Sequence, residues 1–67
     1  MRIPASKIRN TPKPSLRGDG KAHYRFNVDG SAGTPAVGDV VAWPGGDCVI
    51  TKIEVKTEHG TWVVAER

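Results

Sequence analysis

The chain has 67 residues, ten basic against seven acidic side chains for a formal charge of +3, and one cysteine. That length makes one domain with a small core, and one cysteine excludes an intramolecular disulfide framework. With no run of about 18 apolar residues to span a membrane and no charged-then-apolar export leader, a cytoplasmic protein is expected.

Residues 1–20 contain Pro4, Pro12 and Pro14, and their large aliphatic side chains after Met1 are Ile3, Ile8 and Leu16. Such a segment cannot build a core alone, and a helix over residues 5–10 would be far too short to stand without tertiary support. An extended or irregular arm is expected over residues 1–20, held by Ile3, Ile8 or Leu16 if it is ordered. Thr11-Pro12-Lys13-Pro14 reads as a stiff, polyproline-like spacer. Arg17-Gly18-Asp19 spells an integrin-type tripeptide, but a string of three recurs by chance and carries no weight.

The domain proper is expected over residues 21–67. After the Asp19-Gly20 turn signal, residues 22–28 alternate, with Tyr24, Phe26 and Val28 on one face and His23, Arg25 and Asn27 on the other, which predicts a strand. Residues 31–36 are small and loop-like. Residues 40–43 form a short second strand, with Val41 and Trp43 inward, stopped by Pro44-Gly45-Gly46-Asp47. A third strand covers residues 48–55, rich in β-branched side chains, and the polar loop 56–60 leads to a fourth over 61–65. Four such strands joined by short turns predict a strongly bent all-β sheet closing on itself. Its expected core is Tyr24, Phe26, Val28, Val41, Trp43, Val49, Ile53, Trp62 and Val64.

The Gly38-Asp39-Val40-Val41 opening, the Gly45-Gly46 turn, the Val49-x-x-Lys52-Ile53 strand and the late Trp62 together resemble the pattern of SH3-like small barrels in bacterial proteins, including the YodC-type proteins of unassigned function. The resemblance spans about 30 residues, within 37–67, and implies an SH3-like small barrel; with the strand over residues 22–28 and the arm, which lie outside it, the whole chain is expected to be a barrel of four to five antiparallel strands with an irregular basic arm. It implies no binding residue, because SH3-like barrels serve many unrelated functions.

Charge is divided unevenly along the chain. Residues 1–25 carry seven basic side chains against Asp19 alone, a balance of +6, whereas residues 26–67 carry three against six acids, a balance of −3. A basic arm on a mildly acidic body suits a polyanion, or folds back on its own acids. The candidate nucleic-acid-binding residues are Lys7, Arg9, Lys13, Arg17, Lys21, His23 and Arg25. An aromatic residue exposed beside Arg25 and His23 would complete such a face, since aromatic rings stack bases.

Catalytic and metal chemistry find little support. Glycine-rich phosphate loops, nucleophile elbows and paired metal-ligand spacings are missing from the sequence, and Cys48 has no neighbouring histidine to activate it. Cys48 reads as a small buried hydrophobe and His59 as a solvated turn residue. His23, His59 and Cys48 would form a zinc site only if distant strands brought ligands together. The expectation is therefore a non-enzymatic binding module without cofactor or metal, associated with nucleic acid through its arm. The competing reading is a protein-interaction or assembly module, such as a phage-encoded structural or host-targeting protein, with a protein partner or a second copy at a sheet edge.

Overall fold

A computed structural model describes residues 1–16 and 18–67. Among these residues the strands are β1 (Arg2–Pro4), β2 (Ser15–Leu16), β3 (Ala22–Asp29), β4 (Val40–Ala42), β5 (Cys48–Lys56) and β6 (Gly60–Glu66), and the helical content is two single 3-10 turns, Ala5–Lys7 and Gly30–Ala32. The protein is all-β. Its strands form one mixed sheet in the order β1-β4-β5-β6-β3-β2, antiparallel throughout except for the parallel β1–β4 pair. The four strands expected from residues 22–65 are all present, and the arm adds two more.

The turns explain the meander. Trp43 O accepts from Gly46 N–H at 3.1 Å, with Pro44 and Gly45 between them and Gly45 at φ 92°. This is the proline-then-glycine chemistry of a type II turn, in which the second central residue must take positive φ. The β5–β6 loop closes through Thr57, whose N–H donates to Gly60 O at 2.7 Å and whose hydroxyl oxygen accepts from Gly60 N–H at 3.2 Å. Gly60 is required there for another reason. A Cβ on it would stand 2.4 Å from the carbonyl oxygen of Val28, so only glycine lets β6 approach β3 this closely.

The arm is part of the sheet. Ile3 lies opposite Val41 in the β1–β4 pair, and both side chains are fully buried. Farther along, the chain changes sides: Ile8 bridges Val28, and Arg9 N–H donates to Asn27 O at 2.8 Å, on the edge of β3 away from β6. Asn10 continues the pairing with its side chain. Its Nδ2 donates to Arg25 O and its Oδ1 accepts from Asn27 N–H, both at 2.9 Å, so one amide imitates the donor and acceptor of a strand residue. Residues 2–10 thus start on β4 and end on β3. Of the three expected anchors, Ile3 is buried, Ile8 packs at the margin of the core, and Leu16 is exposed.

The core is Ile3, Tyr24, Phe26, Val28, Val41, Cys48, Ile50, Val63 and Ala65. Tyr24, Phe26, Val28 and Val41 are where the sequence pattern places them, and Cys48 is buried as a free thiol. Trp43 is half-buried, its ring 5.1 Å from that of Phe26. Val49, Ile53, Trp62 and Val64 correct the expectation. Register pairs Phe26 with Val63 and Tyr24 with Ala65, setting small residues opposite the two large rings and turning Trp62 and Val64 outward. On β5 the register shifts between Ile50 and Lys52 and again between Ile53 and Val55. Before the first shift Ile50, opposite Ala65, is inward and Val49 outward; the shift then inverts the alternation, and Ile53 follows two residues of bulge onto the face of Val63. Ile53 nevertheless stays 37% exposed, because β4 has ended and β5 beyond Ile50 projects past the core.

Candidate nucleic-acid interface

The outward face of the sheet is built by register. Opposite residues of antiparallel strands share a face, so Arg25, Val64 and Lys52 form one row across β3, β6 and β5, and Asn27, Trp62 and Val55 form the next. The Arg25 guanidinium carbon sits 4.4 Å from the centroid of the Trp62 ring, within cation–π range. The same guanidinium reaches over to the Glu54 carboxylate. Beside this row a shallow cleft of about 180 Å³ is lined by Lys13, Ser15, His23, Tyr24, Arg25, Glu54 and Val64. The two-residue strand β2, pairing Ser15 with His23, is what brings the proline-flanked Lys13 segment to the cleft wall.

The sequence candidates separate into groups. Lys13, His23 and Arg25 line the cleft. Lys7 and Arg9 lie at the other end of β3, where Lys7 Nζ donates to Ser31 Oγ at 2.9 Å and Arg9 pairs with Asp29 at 3.3 Å. Lys21 pairs with Glu66 at 3.2 Å. Arg17 falls outside the described residues. Arg2, not among the candidates, forms a two-pronged pair with Asp47 at 2.9 and 3.0 Å.

Much of the arm's charge therefore folds back on the protein's own carboxylates. These pairs are solvent-exposed and screened by water and salt, so they localise charge more than they stabilise the fold. Asp29 is held below the usual aspartate range, first because its carboxylate accepts the Ser31 N–H, with Arg9 and Lys7 acting in the same direction. Asp19 is lowered chiefly by the N–H of Lys21, which donates at 2.9 Å, with His23 and Lys21 adding to the effect. Burial pushes the Cys48 thiol up, against the opposing influence of Arg67, leaving it a poor nucleophile.

Two features of the face escape a reading of the sequence. Trp62 stands in the unbroken apolar run Trp62-Val63-Val64-Ala65, where neither phase of the strand is marked by polar residues. Lys52 and Glu54 look like routine solvent-side residues of β5, and only its register shifts carry both to the cleft side. His23 shows the reverse: it sits on the expected polar face, yet its side chain is only 14% exposed, set between Asp19 and Glu66. His59 is an exposed loop residue 3.2 Å from Glu58, as its position before Gly60 suggests. Among the described residues no helix is long and apolar enough to cross a membrane. Comparison with protein-family models, with curated proteins and with solved structures finds no match for this chain, so the site rests on its own geometry.

Proposed function

We propose that the chain is a non-enzymatic, SH3-like small-barrel binding module that holds single-stranded nucleic acid on the outward face of β3, β6 and β5. The barrel reading is supported by residues 2–10, which hydrogen-bond to β4 at their start and to β3 at their end. The observation that carries the function is the Arg25 guanidinium laid over the Trp62 indole, next to a cleft edged by Lys13. A half-exposed indole offers a base its ring face, while Arg25, Lys13 and Lys52 offer phosphates their charge, the combination that sequence-tolerant single-strand binders use. Glu54 works against binding by occupying Arg25, which keeps affinity modest and dependent on salt.

Titration of a fluorescent thymidine or uridine oligomer at low salt tests this. Trp62→Ala is expected to remain folded, since the indole lies outside the core, and to lose about 1–3 kcal/mol of binding. Lys13→Gln should lower the salt slope by roughly 0.7 for the phosphate contact removed, and Lys7→Gln with Arg9→Gln should do less. Glu54→Gln should bind more tightly than the parent by releasing Arg25. An oligomer that binds Trp62→Ala and the parent equally would refute the proposal.

One observation favours a second reading, a protein-interaction module. β4 pairs with β5 only at Cys48 and Val49, and backbone bonds to Gly38 and Asp39 extend the contact just to Ile50. Residues 51–56 then have β6 on one side and, among the described residues, no strand on the other, with Ile53 and Val55 exposed. Such an edge accepts an added strand. If it joins a second copy, sedimentation of the parent should show a dimer that dissociates in Ile53→Lys; a parent that stays monomeric at high concentration removes self-association.

A further inference from the structure

The turn before β3 and the ends of β3 and β6 bring together three side chains far apart in the sequence. Asp19, His23 and Glu66 each present a ligand atom, and these atoms all lie within 4.8 Å of one another. His23 and Glu66 are opposite each other in the β3–β6 ladder, so two of the three positions stand on paired strands rather than loops. Asp19 is fixed by the turn, its Oδ1 accepting the Lys21 N–H at 2.9 Å. Glu66 is oriented by the Lys21 ammonium on its Oε1 at 3.2 Å. Each carboxylate thus has one oxygen engaged by Lys21 and turns the other toward the imidazole.

The imidazole nitrogen between them has no hydrogen-bond partner. His23 Nε2 is sealed from solvent and makes no well-aligned hydrogen bond, its nearest acceptors being Asp19 Oδ2 at 3.4 Å and Glu66 Oε2 at 3.9 Å. A buried polar atom without a partner is costly and calls for a reason, an unseen ion among them. The spacing supplies one. Ligands bound at about 2.0–2.2 Å in a tetrahedral zinc site stand roughly 3.3–3.6 Å from one another, near the first of these separations and a few tenths of an ångström short of the second, and the two carboxylates, within 4.8 Å, would close in on the ion.

We propose that Asp19, His23 and Glu66 form a binding site for a divalent transition-metal ion of the zinc class, with a fourth position open to water. One imidazole nitrogen and two carboxylate oxygens favour zinc or cobalt over magnesium and calcium, which take oxygen ligands. Lys21 holds the two outer oxygens and tempers the affinity, because its ammonium repels the incoming cation. The site lies beside the cleft but does not depend on the nucleic-acid reading, and its test contains no oligonucleotide.

The test is calorimetric titration of the chelator-stripped full chain with zinc, repeated with magnesium, alongside cobalt absorption spectra. One zinc ion per chain is expected, no heat of binding with magnesium, and a cobalt spectrum of low coordination number. His23→Asn should weaken zinc binding at least tenfold, and Glu66→Gln should do the same in a chain whose amide spectrum stays native. His59→Gln, which alters the exposed histidine beside Glu58, should change nothing. The proposal is overturned if the parent takes up no zinc, if both His23→Asn and Glu66→Gln bind as the parent does, or if His59→Gln abolishes uptake.

Discussion

Phe26→Ala is expected to leave the chain largely unfolded at 25 °C. Phe26 is fully buried, stacks on Tyr24 at 5.6 Å between ring centroids, and meets Trp43 at 5.1 Å, so its removal breaks the aromatic centre of the core at once. Truncating a buried phenylalanine costs about 3–5 kcal/mol. A single core in a domain this short rarely supplies more than about 3–5 kcal/mol, so the loss takes most of it. Urea unfolding followed by tryptophan fluorescence, with an amide spectrum of the variant, measures the effect; native-like dispersion would show that Phe26 is not the centre of the core. Trp62→Ala is the matched comparison, and it should unfold close to the parent midpoint because the indole lies on the outer face.

The second large effect comes from the arm. Ile3→Ala should cost about 2–5 kcal/mol, and Ile3→Val about 0.5–1.5, since Ile3 is fully buried against Val41 although it is the third residue of the chain. Deleting residues 1–10 should be worse, removing β1, the Ile8 bridge and both Asn10 hydrogen bonds to β3 together. The measurement is the urea midpoint across the three variants, expected to fall in the order Ile3→Val, Ile3→Ala, deletion. An unchanged midpoint on deletion would mean the arm is dispensable. The practical consequence is that loss of binding in an arm-deleted chain would report unfolding, so point substitutions on the outer face are the sound probe of function.

Burial of the strands and burial of charge are decided at different levels. The alternation Tyr24, Phe26, Val28 is visible because polar residues separate the apolar ones, and that strand's inward face follows from the sequence. Pro44-Gly45-Gly46 and the loop before Gly60 likewise announce their turns, since proline and glycine restrict or free φ locally. These signals suffice for an all-β chain and for the boundaries of β3 to β6 to within a residue or so.

The face of β5 and β6 is not local information. Where Val49 and Ile50, or Trp62 through Ala65, are all apolar, either phase fits the sequence, and the phase is set by which side chains fit opposite Phe26 and Tyr24 and by the register shifts in β5. Small residues take the inward positions of β6 because the two stacked rings, with the Trp43 indole against Phe26, already fill the space that Val63 and Ala65 face. The arm was ambiguous for a related reason: its few apolar residues become core only when β4 offers Val41 as a partner for Ile3. The convergence of Asp19, His23 and Glu66, 47 positions apart at its widest, was settled by the β3–β6 ladder together with the turn that holds Asp19. Local chemistry determined where strands begin and end; volume and register, which exist only once strands pair, decided what each face carries.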